Sequence, residues 1–324
     1  MPPPPVSLNL PDFLALLGVS LVLAWVVLCL WTVVSIVRPP RRTYAWALAR
    51  NRPGDPSELV PQSRAFSTWT FESDDGGLHL PVWDLPGDDP SGPVAILSHG
   101  WGDSRIGALS RIPWLLPICS RIIAWDMRGH GDAPGRCTLG HRESADLRRL
   151  CERASPSRPI VLIGWSLGAG VSIDAARTTP GIAGVIAEAP YRHIHTPTHH
   201  MLQALGMPWR SNLLPALSII GWWVGAGIRW RRPEPFDRAA KARQLTCPLL
   251  VIHGDQDEIS PPHDGQEIAA AASRGIYTAI AGGGHHGLWT QEATVIQCSQ
   301  HVAAFIEQVA HSAPESPSAT PQDS

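Results

Sequence analysis

The sequence contains little charge. Charged residues make up 17% of the 324 residues and hydrophobic residues 44%, whereas an average soluble domain has about 25% charged residues. This shortage indicates that part of the chain meets an apolar solvent. The formal net charge of -2 also lacks the basic excess that is typical of nucleic-acid-binding proteins, so we expect no nucleic-acid partner.

Recognisable cysteine patterns are absent as well. The six cysteines form no CxxC pair and no Cys/His set at zinc spacing. Cysteines scattered in this way favour free thiols in a reducing compartment over a disulfide framework. Segment 191–200 holds four histidines, of which His195 and His199 could share a helical face and bind a metal. Pro197 lies between them and argues against a regular helix, so we expect polar lid contacts there and no metal or cofactor.

One long run has no charge at all. The 25 residues from Phe13 to Val37 would rise about 37 Å as a helix, enough to cross a hydrocarbon core of about 30 Å. No Lys or Arg precedes the run, and it exceeds the length of a signal-peptide core, so a retained transmembrane helix is favoured over a cleaved signal peptide. The positive-inside rule predicts a single-pass protein with its large C-terminal part in the cytoplasm, because basic residues only follow the helix: Arg38, Arg41, Arg42, Arg50 and Arg52.

The rest of the chain alternates short apolar runs with helical stretches. This alternation predicts an α/β fold with a mostly parallel central sheet and helices on both faces. Ser67–Glu72 and Leu78–Asp84 predict an opening hairpin, and a helix is expected over Arg105–Leu116. The predicted segments are a tail at 1–12, a transmembrane helix at 13–37, an Arg- and Pro-rich juxtamembrane linker at 38–64, the α/β domain at 65–310 and a disordered tail at 311–324.

One insertion interrupts this alternation. Residues 190–236 are far longer than a simple connection between a strand and a helix, which predicts a lid over the sheet edge. The apolar stretch Asn212–Ile228 is short and is interrupted by Pro215 and three glycines. A buried or interfacial lid helix is therefore favoured over a second membrane span.

The strongest chemical signal is the pentapeptide Gly164-Trp165-Ser166-Leu167-Gly168. It follows the apolar run IVLI and opens a helical stretch, the context in which G-x-S-x-G forms a strained turn between a strand and a helix. Such a turn exposes the serine hydroxyl and requires glycine two residues away on either side. The helix N-terminus beneath it favours developing negative charge. Ser166 is therefore the predicted nucleophile.

A serine nucleophile needs a general base and an acid that orients the base. The glycine-rich loop after the last predicted strand offers two adjacent bases, His285 and His286. The strand LLVIHG leads into a loop with three carboxylates. Asp257 is preferred there, since it lies just past the end of the strand where an orienting acid should be, and Asp255 and Glu258 are its competitors.

Acyl transfer also needs hydrogen-bond donors for the oxyanion. The loop His99-Gly100-Trp101-Gly102 follows the apolar run VAILS. We expect the backbone N–H groups of Trp101 and Leu167 to serve as the two donors, and His99 itself to be structural.

Together these motifs resemble the α/β-hydrolase superfamily, in the branch of serine aminopeptidase-like and monoacylglycerol-lipase-like enzymes. The resemblance covers about residues 67–309. It implies that Asp257 is the acid and His285 the base, although the second histidine, His286, departs from the pattern. Five motifs carry it, in family order: HGWG at 99–102, DMRGHG at 126–131, the Ser166 turn, GDQD at 254–257 and Gly284-His285. The resemblance also implies that the DMRGHG loop is structural.

The implied activity is hydrolysis of a carboxylic ester or thioester through an acyl-enzyme intermediate. A Trp- and Leu-rich lid beside a membrane anchor predicts an apolar acyl group on a small-molecule or lipid-like substrate. A peptidase is one alternative, for which Glu188 or Glu234 could hold a substrate amine. A non-catalytic binding protein on the same fold is the other, and the complete Ser, Asp and His set argues against it.

Overall fold

The computed structural model of the chain describes residues 9–61, 63–154, 158–204, 206–225 and 237–312. Eight strands in these residues form one sheet: β1 Ser67–Glu72, β2 His79–Pro86, β3 Val94–Ser98, β4 Arg121–Trp125, β5 Ile160–Trp165, β6 Ile182–Glu188, β7 Leu249–Gly254 and β8 Gly275–Ile280. Their order across the sheet is β1-β2-β4-β3-β5-β6-β7-β8. The pairs β1–β2 and β2–β4 are antiparallel, and all later pairs are parallel.

The central strands are buried along their whole length. β3, with the sequence VAILS, and β7, with LLVIHG, have no exposed residue, as expected for parallel strands that are covered on both faces. Alternate residues of a strand point to opposite faces. Val94 and Ile96 of β3 therefore join one core cluster, and Ala95 and Leu97 join the other.

Helices cover both faces of the sheet. The described helices are α1 Leu10–Val37, α2 Tyr44–Leu48, α3 Ile112–Leu115, α4 Glu143–Ala154, α5 Leu167–Ala176, α6 His195–Ala204, α7 Leu213–Trp223, α8 Arg238–Ala242, α9 Pro262–Ala271 and α10 Glu292–Ser312. Short 3₁₀ turns lie at Pro56–Glu58, Arg105–Ser110 and Leu116–Ile118. Helices α4, α5, α8 and α9 pack on one side, and α3 and α10 pack on the other. The predicted α/β fold with a mostly parallel sheet and an opening hairpin is confirmed.

The helix α1 has two different halves. Within the described residues it is the one helix long and apolar enough, by length and composition, to cross a membrane. Its residues as far as Val27 are exposed, whereas Cys29, Thr32, Ile36 and Val37 are buried against the rest of the protein. The end of α1 therefore belongs to the core of the α/β domain.

Two predictions of helix position differ from the structure. α1 begins at Leu10 and not at Phe13, because the Asn9 side chain accepts the Asp12 N–H and Pro11 is tolerated in the first turn. The helix expected over Arg105–Leu116 is wrong: the segment forms two 3₁₀ turns around the short α3. Pro113 and Pro117 lack the N–H groups that a longer helix there would use.

The His-rich segment also differs. A regular helix was not expected across Pro197, yet α6 runs from His195 to Ala204. Pro197 lies in its first turn, where no N–H is needed within the helix. The rings of His195 and His199 are 6.0 Å apart, and the described residues contain no group of three or more His, Cys, Asp or Glu side chains placed to hold a metal.

Helices α6 and α7 form the described part of the predicted lid. Residues 226–236, which include Trp230 and Glu234, lie outside the described residues. So does most of the predicted C-terminal tail, since α10 continues to Ser312 and residues 313–324 are not described.

Candidate active site

Ser166 lies at a sharp turn between β5 and α5. Its φ is +53° and its ψ is -111°, a strained conformation for a residue that has a side chain. A Cβ atom on Gly164 would lie 2.2 Å from the carbonyl oxygen of Gly168, and one on Gly168 would lie 2.0 Å from the carbonyl oxygen of Ser98. The two glycines therefore allow the turn to close against β3, and the hydroxyl of Ser166 is held above the sheet edge.

The structure brings Ser166, His285 and Asp257 together. The Nε2 atom of His285 is 3.1 Å from the Ser166 hydroxyl oxygen, and its Nδ1 atom is 2.8 Å from Oδ2 of Asp257. In the tautomer that serves a general base, Nδ1–H donates to the carboxylate and Nε2 accepts the hydroxyl proton. Asp257 and Ser166 lie 28 and 119 positions before His285 in the sequence, and the fold joins the three side chains by hydrogen bonds.

Asp257 is built to stay ionised. Its carboxylate is buried, and Oδ1 accepts the backbone N–H groups of Ile259 and Ser260 at 2.9 Å and 2.8 Å. Burial alone would raise the pKa of this carboxyl, but hydrogen bonds from His253 and His285 outweigh it and hold the pKa well below its usual range. A permanent negative charge therefore faces His285 Nδ1 and favours the protonated imidazole when it forms.

The competing residues lie in other environments. The side chain of Asp255 is exposed and accepts the backbone N–H of Gly282 at 2.8 Å, and Glu258 is exposed. The ring of His286 packs edge to face against that of His285, with centroids 4.9 Å apart. Burial lowers the pKa of His286, and the neighbouring His285 adds to this. In the described residues, His285 is the imidazole that contacts both the hydroxyl and the buried carboxylate.

The predicted oxyanion loop lies directly beside the nucleophile. A Cβ atom on Gly100 would lie 3.3 Å from Cδ1 of Trp165 and 3.4 Å from Cβ of Ser166, so the loop runs in close contact with the Ser166 turn. Leu167 is the first residue of α5, and Trp101 follows Gly100. The indole Nε1 of Trp101 donates to the carbonyl oxygen of Ile36 at 2.9 Å, which ties the loop to the end of α1.

The side chains of the DMRGHG loop contact the loops around Ser166, and the resemblance implies such a structural role. The Asp126 carboxylate accepts the backbone N–H groups of Arg105 and Asp132 at 2.7 Å and 2.9 Å. His130 is buried and packs against the ring of His99 at 4.9 Å. Neither side chain reaches Ser166 by a described hydrogen bond, and both stabilise the loops around it.

A cavity of about 700 Å³ opens over Ser166 and His285. Its walls are rich in tryptophan, with Trp101, Trp165 and Trp289 among the lining residues. One wall comes from the segment that the sequence predicts to be a juxtamembrane linker, through Arg42, Trp46, Arg52, Pro53 and Leu59. The chain just after α1 therefore belongs to the boundary of the site.

The sequence did not predict the contacts that fix the segment after α1 against the cavity. Arg42 Nη1 is 3.0 Å from Oδ1 of Asp103, and Oδ2 of the same carboxylate accepts the indole N–H of Trp165 at 3.1 Å. These polar contacts thus connect the segment after α1 to Trp165, the residue beside Ser166. The available signal was Asp103, a charged residue directly after the HGWG loop.

Glu188 also lines the cavity, but it is already paired. Its side chain is buried, and Oε2 accepts from Nη2 and Nε of Arg111 at 2.6 Å and 2.9 Å. The Arg111 guanidinium stacks over the ring of Trp165 at 3.8 Å. The other oxygen, Oε1, is buried and has no hydrogen-bond partner among the described residues.

Comparison with known proteins adds to this geometry. Residues 96–239 match the family model described as serine aminopeptidase, S33. A monoacylglycerol lipase of Mycolicibacterium smegmatis is 24% identical over 252 residues, which cover 67% of this chain and 89% of that protein. An esterase of Pyrococcus furiosus superposes with a TM-score of 0.65 at 18% identity and covers 85% of this chain and 98% of its own.

The chain has the α/β-hydrolase fold and matches the serine aminopeptidase model over a little less than half of its length.

Other relatives of this α/β-hydrolase match over shorter stretches. A pimeloyl-[acyl-carrier protein] methyl ester esterase of Methylococcus capsulatus is 37% identical over 90 residues, which cover 28% of this chain and 34% of that protein. A lysophosphatidylserine lipase of Rattus norvegicus is 25% identical and is covered over 46% of its length. These two relatives are, by their names, an esterase and a lipase.

Proposed function

We propose that this α/β-hydrolase is a membrane-anchored enzyme that cleaves a carboxylic ester or thioester through Ser166, His285 and Asp257. The observation that carries the proposal is the hydrogen-bonded chain of these three side chains, at 3.1 Å and 2.8 Å, at the floor of a cavity of about 700 Å³. A nucleophile, a base within reach and a buried acid that orients the base are the parts that acyl transfer needs.

The reaction follows from this arrangement in two halves. Ser166 Oγ attacks the acyl carbon while His285 Nε2 takes its proton, and the imidazolium then gives that proton to the leaving alcohol or thiol. The charge on Asp257 stabilises the imidazolium between these steps. Water next attacks the acyl-enzyme with His285 as base again, which releases the acid and restores Ser166. The backbone N–H groups of Trp101 and Leu167 donate to the oxyanion in both halves.

The membrane anchor is the exposed part of α1. Residues 10–27 are exposed along a helix with no charged side chain after Asp12, and 18 residues at about 1.5 Å each extend about 27 Å, close to the thickness of a hydrocarbon core. Arg38, Arg41 and Arg42 follow α1 directly. The positive-inside rule places the catalytic domain in the cytoplasm.

The cavity favours a substrate with an apolar acyl group. Four tryptophans, Leu59 and Leu288 line it, and such walls gain free energy by excluding water from an acyl chain. The monoacylglycerol lipase and lysophosphatidylserine lipase among the relatives act, by their names, on lipid esters. Hydrolysis rates of a series of 4-nitrophenyl esters with lengthening acyl chains measure this preference, and a rate highest for acetate would contradict it.

A fluorophosphonate probe tests the nucleophile. The full chain in detergent should be labelled, and Ser166→Ala should abolish labelling and lower kcat roughly 10⁴-fold or more, because no other group can form the acyl-enzyme. Ser110→Ala is the matched control, since Ser110 lines the same cavity but hydrogen-bonds to the carbonyl of Gly107. His285→Ala should resemble Ser166→Ala, whereas His286→Ala should retain labelling. Persistent labelling of Ser166→Ala would refute the proposed nucleophile.

The peptidase alternative is weaker on structural grounds. A site for a substrate amine needs a carboxylate that is free to pair with it, and Glu188 in this cavity already pairs with Arg111 at 2.6 Å. Only Oε1 of Glu188 would remain for a substrate amine, and because Arg111 already balances the charge of this carboxylate, it attracts an ammonium group less than a free carboxylate would. Absence of hydrolysis of aminoacyl amides alongside hydrolysis of esters distinguishes the two activities.

A further inference from the structure

The segment after α1 brings positive charge to the catalytic cavity. Arg42 and Arg52 line the cavity together with Trp46. Because Arg52 is exposed, this part of the wall lies where the cavity opens to solvent. A charged group of a substrate keeps part of its hydration there, whereas burial among the apolar walls further inside would remove it at a large cost in free energy.

The charges that line the cavity do not balance. The guanidinium of Arg111 pairs with the carboxylate of Glu188 at 2.6 Å, and that of Arg42 pairs with Asp103 at 3.0 Å. The third arginine of the lining, Arg52, forms no side-chain hydrogen bond or ion pair with the described residues. One positive charge therefore has no counter-charge from the described part of the chain.

The acidic residues nearest to Arg52 in the sequence have other partners. Asp55 accepts the backbone N–H and the hydroxyl of Ser57 at 2.8 Å and 2.6 Å. Glu58 accepts the hydroxyl of Tyr44. A guanidinium carries five N–H donors, and no described side chain takes up those of Arg52. They are placed to bind an acceptor that enters the cavity.

Arg42 adds to the positive potential of this wall. Its guanidinium gives one N–H to Asp103 and lies against the ring of Trp46, 5.0 Å from the ring centroid. Burial lowers the pKa of His286, and the charges of His285 and Arg42 add to this. The field of Arg42 thus reaches the loop that carries the general base. An anion at this wall is therefore attracted by two arginines.

A phosphate group is the anion that fits this wall. Guanidinium groups bind phosphate through paired N–H donors, and a phosphate monoester offers three terminal oxygens and nearly two negative charges near pH 7 to the two arginines. The apolar walls around Trp165 and Trp289 suit the acyl chain. This leaves the alcohol part of an ester at the opening of the cavity, where the arginines lie.

We propose that Arg52, supported by Arg42, binds a phosphate group on the alcohol part of the substrate, so that the enzyme prefers phosphate-bearing esters to neutral ones. The scissile carbonyl then lies at Ser166 and the acyl chain lies along the apolar walls. This inference rests on the proposed esterase function for the bond that is cleaved, but not for the binding of the anion.

Anion binding can be measured without turnover. Hexyl phosphate carries an apolar chain and a phosphate monoester but no acyl carbon for Ser166 to attack. We expect isothermal titration calorimetry on the full chain in a neutral detergent to show binding of hexyl phosphate. Arg52→Gln should weaken this binding about fivefold or more, the effect of one partly exposed ion pair.

Arg50→Gln is the matched control, because it makes the same chemical change two positions away. The guanidinium of Arg50 lies 4.6 Å from the ring centroid of Trp46 and donates to the carbonyl of the same residue, and Arg50 is not part of the described lining of the cavity. This variant should bind hexyl phosphate as the wild-type chain does. An equal loss of affinity in both variants would show an effect of overall charge and would overturn the site.

Inorganic phosphate distinguishes a substrate group from a free ion. It should bind about tenfold or more weakly than hexyl phosphate, since it gains nothing from the apolar walls. Equal affinities for the two anions would show that the wall binds free phosphate, and would overturn its assignment to the substrate.

A pair of soluble esters tests the preference. 1-Hexanoylglycerol 3-phosphate and 1-hexanoylglycerol share the scissile bond and differ in the phosphate alone. The ratio of their kcat/KM values should favour the phosphate ester in the wild-type chain. In Arg52→Gln this ratio should fall about fivefold or more, through a higher KM for the phosphate ester, and in Arg50→Gln it should stay. Salt at about 0.5 M should reduce the wild-type ratio, because it screens exposed charges. An unchanged ratio in Arg52→Gln would overturn the proposal.

The two proposals fail in different ways. If hexyl phosphate binds through Arg52 but neither ester is hydrolysed, the proposed function fails and the anion site stands. If both esters are hydrolysed with the same kcat/KM and hexyl phosphate does not bind, the function stands and the anion site fails.

Discussion

His99 illustrates how a residue outside the reacting set supports the site. It is completely buried between β3 and the loop after β4, and its Nε2 accepts the backbone N–H of Met127 at 3.0 Å. Its Nδ1 lies 2.8 Å from the carbonyl oxygen of Gly100, in the loop beside Ser166. Burial lowers the pKa of His99 from its ordinary value of 6.5 to about 4. The neutral ring is therefore part of the folded structure.

Stability should consequently depend on pH. Below pH 6.5 the unfolded chain gains a proton on this histidine that the folded chain does not bind until about pH 4. The free energy of unfolding should therefore fall as the pH falls through this window, by about 3 kcal/mol from His99 alone. Urea unfolding in detergent at a series of pH values measures this loss.

The variant His99→Gln separates this contribution from those of other groups. It should be less stable at pH 7, because it loses well-placed hydrogen bonds, but its stability should decline less steeply between pH 6.5 and pH 4. The same slope in both proteins would show that His99 is not the titrating group.

At the scale of the structural elements, the turn between β5 and α5 leaves no room for a side chain at either of its two glycines. The missing side chains of Gly164 and Gly168 allow the start of α5 to approach the end of β3, and this approach sets the height of Ser166 above the sheet. In the loop that carries His285, the two glycines before the histidine differ in the space that a side chain would have. A Cβ atom on Gly283 would lie 2.6 Å from the Leu288 side chain, whereas one on Gly284 would meet nothing nearer than 3.9 Å.

These glycines make a matched pair of variants. Gly168→Ala should destabilise the protein by about 3 kcal/mol or more and remove fluorophosphonate labelling, since its Cβ would overlap the backbone of β3. Gly284→Ala should change stability by less than about 1 kcal/mol and keep the labelling, although it directly precedes His285. Thermal unfolding and labelling rates check both. A fully labelled Gly168→Ala would mean that the turn can relax.

The same elements show which parts of the fold and of the site could be predicted from the sequence. The buried strands β3 and β5 were predictable because their apolar character is continuous, and Ser166 because the strained turn needs glycines at fixed local positions. Pro197 misled the reasoning on α6, since a proline in a first helical turn costs nothing. The contact between Arg42 and Asp103 joins residues 61 positions apart, and no local pattern indicates such a pair.

At the scale of the whole molecule, the segment that follows α1 and the α/β domain are one structure. Arg41 donates to the carbonyl oxygens of Gly131 and Ala133, in the loop after β4. Ile36 accepts from the indole of Trp101. The domain borders of a tail, a helix and a linker, which the sequence suggests, therefore do not mark where the chain could be divided.

Two truncations test this unity. Removing residues 1–27 takes away the exposed half of α1 and should leave fluorophosphonate labelling in detergent near that of the full chain. Removing residues 1–60 also takes away Ile36, Val37 and Arg42, so that Trp101 and Cys137 lose buried partners and the cavity loses a wall. We expect a large loss of labelling and a lower unfolding temperature. Full labelling of the shorter protein would show that the domain folds without this segment.

The division of α1 also has a consequence for how the sequence can change over time. Towards its start the side chains are exposed, and apart from Trp25, which bonds to Ser211, they can be exchanged for others of similar hydropathy without disturbing the domain core. Towards its end, the side chains of Thr32 and Ile36 are fitted to Asn212 and the domain core, so substitutions there must be matched by changes elsewhere. A foreign apolar helix grafted in place of the whole of α1 would match its length and hydropathy and still leave the protein without part of its own interior.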